Sequence, residues 1–270
     1  MTVGSPPAAT TLGAVRRDGR LVGLQIGYEQ RSYWRNPAAA LFTFALPLMF
    51  LFIFGSISGT GSIHVLPGVR FEQYYVPSIL AYGVIAACFS NLAITMTFRR
   101  EQGILKRVRG TPLPAAVYLG GAVGNAMAVA LILTAITLLA GVTLYAVPIP
   151  RELAAVIVAV LVGAASFCAL GLAVSTVVPN ADAAPAIVNI VMLGLLFISG
   201  TFFPVDPQST LAHIANVFPV SHLVKALLDA VLPRPGHPVW AWSDLAVIAA
   251  WGGGGLLFAL RHWRWEPSRR

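Results

Sequence analysis

The chain has 270 residues, of which 57% are hydrophobic and only 10% charged, with a mean hydropathy of +0.77 and a formal charge of +8. Soluble domains carry about 25% charged residues, so the composition excludes an ordinary water-soluble globule and indicates an integral membrane protein. The basic excess is explained by topology and anionic lipid headgroups rather than by nucleic acid, and no nucleic-acid partner is expected.

Residues 1–37 read as a polar cytosolic arm. The first apolar run after it is too long and too late for a secretory signal, so no cleaved signal peptide is expected. From Leu21 to Arg35, the residues Leu21, Leu24 and Tyr28 form one stripe opposite Gln25, Glu29 and Arg31. That spacing predicts an amphipathic helix in the inner membrane interface, with Tyr33 and Trp34 at headgroup level and Asn36-Pro37 breaking the chain before the bilayer. A merely solvated basic arm is the alternative.

A hydrocarbon core about 30 Å thick needs roughly 20 apolar residues per helix. Six segments of residues 38–260 qualify: Ala38–Ser58, Tyr75–Phe98, Ala115–Tyr145, Leu153–Val178, Ala183–Phe203 and Trp242–Leu260. Pro47 can kink the first. The third is long enough to tilt or to project, and Gly252–Gly255 make the last the weakest as a helix. With both termini inside, fourteen basic residues lie on cytosolic segments, including the tail 261–270, and only Arg70, Arg151, Lys225 and Arg234 lie outside. The positive-inside rule therefore favours an even number of crossings and a cytosolic loop at 99–114.

Polar positions within the spans are mild: Asn91, Thr95, Asn125, Ser166, Asn189 and Ser199. Such groups more often join helices than touch cargo, and Gly120 with Gly124 permits close helix approach. Cys88 and Cys168 read as small buried hydrophobes. The five histidines show no metal-ligand spacing, so neither a metal nor any other cofactor is expected. Between 204 and 241, Asp206-Pro207 starts a short helix through Leu211, Ile214, Ala215 and Phe218, and Ser221 caps a second carrying Leu223, Val224, Leu227, Leu228 and Val231.

Two absences narrow the function. Neither lysine, Lys106 or Lys225, sits in a GxxxxGK[ST] arrangement, so the chain holds no P-loop, and the one carboxylate within the spans is Asp244. The chain either conducts passively or draws energy from another subunit. A passive channel or secondary transporter, and a membrane enzyme, are the rival classes; the last would need a cluster of acid, base or metal-binding groups, which the sequence does not display.

The loop Arg99–Pro114 reads RREQGILKRVRGTPLP. Ile104, Leu105 and Val108 can share one face of a short helix while Arg100, Lys106, Arg107 and Arg109 stay in water, and Pro112 and Pro114 end it. Apolar knobs rimmed by charge suit a groove on a partner; a headgroup anchor is the other reading.

This loop resembles the coupling segment of the ABC-2 type (type V) ABC exporter permeases of the drug-resistance and polysaccharide-export kind. Glu101, Gly103, Ile104, Leu105, Arg107, Thr111, Pro112 and Leu113 occupy the matching places, and Lys106 stands where acidic residues are common in relatives. The segment Ser199–Val231 is similar to the family's external stretch, in which a Gly and an aromatic-Pro pair precede two short helices.

The resemblance implies an all-α integral membrane protein with six transmembrane helices, an N-terminal interfacial helix and two short external helices. It implies a permease subunit in a bacterial inner membrane, paired with an identical or different second permease and with separate ABC ATPase subunits that bind the ATP and Mg. The ATPase would contact Arg100, Glu101, Gly103, Ile104, Leu105, Arg107, Val108, Thr111 and Pro112. The external helices would form a lid, with Phe202, Phe203 and Phe218 as gate residues and Asn91 and Asn189 on the pathway. Cargo would be a drug-like amphiphile or, alternatively, a lipid or lipid-linked polysaccharide.

Overall fold

The computed structural model describes residues 11–57, 64–66, 69–150, 152–202, 208–232, 236–263 and 265. These residues are helical apart from turns and a small antiparallel hairpin, β1 (His64–Leu66) with β2 (Val69–Arg70), which the hydrophobic pattern does not announce.

Helix α1 (Thr11–Trp34) leads to α2 (Pro37–Ile57), which contains Pro47. After the hairpin, α3 (Phe71–Ile85), a π-helical turn (Ala86–Ser90) and α4 (Asn91–Glu101) form one continuous rod of 31 residues. A short α5 (Ile104–Arg109) follows, then α6 (Ala115–Tyr145), α7 (Leu153–Val177) and α8 (Ala184–Ile198). Two short helices, α9 (Thr210–Ala215) and α10 (Pro219–Val231), precede α11 (Trp242–His262).

The rod Phe71–Glu101, α6, α7 and α11 are each long and apolar enough to cross a membrane, while Ala40–Ser56 and Ala184–Ile198 are shorter apolar helices. A rise of 1.5 Å per residue makes α6 about 46 Å long, well beyond the hydrocarbon core, and α8 only about 22 Å. Helix α8 stops before the expected Phe203 because Gly200 turns left-handed at φ 77° and its carbonyl accepts the Tyr74 hydroxyl at 2.6 Å.

Helix α7 is the central element, packed against α11, the α3–α4 rod, α6 and α10. Its Gly171 lies against the π-helical turn: a Cβ there would stand 2.7 Å from the Phe89 carbonyl oxygen. Cys88, on that turn, and Cys168, one helical turn before Gly171, are both free and buried.

The expected weakness of the last span is overturned, since α11 runs unbroken through Gly252–Gly255. Each glycine costs a helix about 1 kcal/mol. Here two of them create the contact with α7: a Cβ on Gly252 would meet Ser166 at 2.6 Å and one on Gly255 would meet Leu170 at 2.9 Å. Without a hydrophobic driving force between helices in lipid, such close backbone approach supplies the van der Waals attraction that associates them.

The small helices also differ from expectation. The Asp206-Pro207 start lies outside the described residues, and Ser209 caps α9 by accepting the Ala212 N–H at 3.2 Å. Ser221 does not cap α10, which begins at Pro219; its hydroxyl instead donates to the carbonyls of Ala215 at 2.7 Å and Phe218 at 3.1 Å, fastening α10 to the end of α9. Helix α10 is buried over nearly its whole length among α3, α7 and α11.

We expect Gly252→Leu to lower the thermal unfolding midpoint of the detergent-solubilised protein, at an overpacking cost of about 1–3 kcal/mol. Gly253→Leu should not lower it and should raise it slightly, because nothing stands within 4 Å of a Cβ at Gly253 and the helix gains propensity. Tryptophan fluorescence during heating reads both.

Candidate functional site

Three consecutive charged residues end the α4 helix, and each bonds to a different element. The Arg99 guanidinium grips Glu29 of α1 through two parallel bonds of 2.7 and 2.6 Å and also donates to the Tyr118 hydroxyl of α6 at 3.0 Å. Bidentate geometry and the low exposure of the Glu29 side chain, 6%, make this a strong charge-assisted pair. Sequence reasoning missed it by placing Glu29 on a wet helix face; the only signal was a lone carboxylate in the basic stretch between Leu21 and Arg35.

Helix α1 is correspondingly turned. Its Gln25 and Ile26 meet Gly121 and Gly124 of α6, Glu29 faces inward, and Leu24 and Tyr28 are exposed. The Gly124 approach anticipated from sequence is thus made by α1 itself.

Arg100 requires a correction. Expected in water, it is buried and donates to the carbonyls of Ser175 at 2.7 Å and Val178 at 2.5 Å. These belong to the C-terminal end of α7, where helix carbonyls lack intrahelical partners and the dipole favours a cation. Glu101 completes the set: its carboxylate accepts the backbone N–H of Ala181 in the turn between α7 and α8.

Gly103 then reverses the chain at φ 69°, a left-handed conformation that suits glycine, and opens α5. A second correction concerns the face of α5. Leu105 is fully buried, beside Met96, Arg100 and Trp263, and Ile104 and Val108 are half-buried, so these residues anchor the helix to the bundle. Lys106, Arg107 and Arg109 are exposed. The outward surface of α5 is therefore cationic rather than a row of apolar knobs. Thr111 closes the helix by donating to the Val108 carbonyl at 2.7 Å, and Pro112 beside it is exposed.

The candidate gate residues are not gathered in one place. Phe202 is buried in a cluster of rings with Phe50, Phe54, Tyr82 and Phe197, at centroid distances of 5.1 to 6.5 Å. Phe218 instead stacks on Trp251 at 6.2 Å, and Phe203 lies outside the described residues. Asn91 lines a cavity with Arg99 and Glu29, whereas Asn189 is exposed on α8 among Ile187, Ile190 and Leu193.

At the other end of the bundle His222 of α10 is bound through both ring nitrogens, to the Asp244 carboxylate at 2.5 Å and to the Asn216 carbonyl at 2.9 Å. A neutral ring has one N–H, so two acceptors favour the imidazolium. The Asp244 hydrogen bond accordingly raises the His222 pKa above 6.5; burial and nearby Lys225 oppose it.

Two outcomes follow from these contacts. Glu29→Gln should detach α1, because breaking a buried pair while leaving its partner costs about 3–5 kcal/mol; limited proteolysis within α1 reads the detachment. A raised histidine pKa stabilises the fold fully below the unfolded value of 6.5, and that stability is lost as pH climbs through the higher folded value. The melting midpoint should therefore fall as pH rises above neutrality, and Asp244→Asn should flatten the profile.

Comparison with known proteins agrees with this architecture. The sequence model described as "ABC-2 type transporter" matches residues 22–232, from the middle of α1 to the end of α10. The Bacillus subtilis (strain 168) protein described as "Putative transport permease YvfS" is 26% identical over 215 residues, covering 78% of this chain and 85% of that one. The chain is a multi-pass membrane protein and belongs to the ABC-2 type transporter family, whose members are permease components of ABC transporters.

Proposed function

We propose that this chain is the permease subunit of an exporter driven by a separate ABC ATPase, moving a hydrophobic or amphiphilic, drug-like compound out across a bacterial inner membrane. In this reading six helices cross: α2, the α3–α4 rod, α6, α7, α8 and α11. Both termini and α5 are cytosolic, and α9 and α10 lie on the outer side. The ATPase supplies the nucleotide chemistry and the permease supplies the route.

The observation that carries the reading is α5 itself. A six-residue helix would not hold its shape alone, yet here Leu105 pins it to the bundle while Lys106, Arg107 and Arg109 project. A rigidly mounted cationic knob suits a partner groove lined with carboxylates, and complementary charge speeds and orients such docking. Motion imposed on α5 would pass through Arg100 to the end of α7 and through Glu101 to the start of α8.

A second permease subunit is supported by the unsatisfied faces of α2 and α8. Leu41, Phe42, Phe52 and Ile53 on α2 and Ile190 and Phe197 on α8 are exposed, and Asn189 is exposed beside them. An exposed amide fits a route between two bundles better than contact with acyl chains, where a polar group lacks partners. The aromatic cluster around Phe202 joins α2, α3 and the end of α8, and so lies beside that route.

The test is co-purification with a candidate ABC ATPase from the same source. Reversing the projecting charges, Lys106→Glu with Arg107→Glu, should reduce the complex by about tenfold or more, as expected for a loss exceeding 1.4 kcal/mol, while membrane insertion is kept. Undiminished complex would contradict docking through α5. Glu101→Arg should leave insertion intact and abolish transport.

A further inference from the structure

A cavity of about 170 Å³ opens among α1, α4 and α6. Its walls bring together Glu29, Ser32, Asn91, Thr95, Arg99 and Asn125, residues drawn from three separate stretches of sequence. The hydrophobic pattern treats Asn91, Thr95 and Asn125 as scattered helix-joining groups. In the fold they share one chamber.

Two features define what the chamber accepts. Its charges cancel: Glu29 and Arg99, the two ionised side chains in its lining, are bound to each other through both guanidinium nitrogens, at 2.7 and 2.6 Å. An anionic or cationic group would have to compete with that bidentate pair. Its neutral polar groups, by contrast, retain capacity. The Asn125 side-chain oxygen is buried without a hydrogen-bond partner. Leaving a buried acceptor unmade is costly, and a turn of the Asn125 amide into the chamber would let a donor brought by a ligand satisfy it. Asn91 accepts the Thr95 hydroxyl at only 3.3 Å, a long bond that is easily exchanged.

Depth matters as well. Asn91 lies eight residues before Arg99, about 12 Å along the rod, and Asn125 ten residues into α6, about 15 Å from its start. Helix α6 exceeds the hydrocarbon thickness by about 16 Å; with that excess on the α5 side, the chamber would reach from the α5 end of the bundle to the boundary between headgroups and acyl chains. Leu24, Tyr28 and Trp34 are exposed on α1, the helix that supplies Glu29 and Ser32 to the chamber.

We propose that this chamber binds the uncharged, hydrogen-bonding head of an amphiphile, such as a polyol or amide, while the apolar tail remains in the bilayer beside α1. This rests on the amphiphile reading above and deepens it, since it selects neutral heads over phosphates and ammonium groups. Asn125 is the specificity residue, with Asn91 and Thr95 beside it. Several waters occupying the chamber alone would be the competing outcome.

The experiment uses the full-length permease in nanodiscs, without ATPase. Three photoreactive amphiphiles share one alkyl chain and differ in the head: N-methylglucamide, phosphate or trimethylammonium. Peptide mapping should place the glucamide label on residues 29–36, 91–99 and 122–126, about tenfold above the charged probes, the factor expected for one recovered hydrogen bond. Asn125→Leu should remove that preference and Asn125→Gln retain it. Thr95→Val, which preserves shape, should weaken it if Asn125→Leu proves unstable on heating.

Equal labelling by all three heads, preference for a charged head, or labelling unaffected by Asn125→Leu and Thr95→Val would overturn the proposal. Correct labelling by a glucamide that never stimulates the assembled ATPase would leave the chamber standing and overturn the cargo reading. Stimulation without labelling would do the reverse.

Discussion

The inner ends of the helices are held in register by the triplet Arg99-Arg100-Glu101, whose charges are all used within the chain. One side chain holds α1 through Glu29, the next caps α7 at Ser175 and Val178, and the third accepts from Ala181 before α8. Charged groups at a membrane boundary could simply be hydrated. The inward commitment of Arg99 and Arg100 costs desolvation, which the bidentate pair and the helix-end carbonyls offset. The result is a node at which four elements move together.

Above this node the bundle relies on close backbone contact rather than on large side chains. Gly171 sits on the Phe89 carbonyl, Gly252 on Ser166 and Gly121 on Gln25. Cores packed this densely do not deform continuously, so a displacement at one end tends to be passed on as a rigid shift. The π-helical turn at Ala86–Ser90 is the local exception in the rod; such turns often occur at functional sites. It lies one residue from Asn91, which lines the polar chamber.

The order of elements is legible in the sequence because span length and apolar content are set by the bilayer. Ala115–Tyr145 is read to the residue, and Leu153–Val178 to within one. What escaped was long-range pairing. Periodicity assigns Glu29 to a polar face but cannot say that Arg99 faces it seventy residues later, and the same limit put Arg100 in water. Propensity alone makes the glycines of α11 a weak point, and tertiary contact with Ser166 and Leu170 overrides it. Motif reading located α5 correctly but not its orientation, since Ile104, Leu105 and Val108 suit a foreign groove and their own bundle equally well. The candidate pathway residues were separated for the same reason: only the fold distinguishes Phe202, in a buried ring cluster, from Phe218, on Trp251.

The most direct measurement is the ratio of substrate transported to ATP hydrolysed by the reconstituted complex carrying Arg100→Gln. If Arg100 passes motion of α5 to α7, the exposed docking surface of Lys106, Arg107 and Arg109 is untouched, hydrolysis continues and the ratio falls steeply. A ratio equal to that of the unaltered complex, with transport at full rate, would contradict the account.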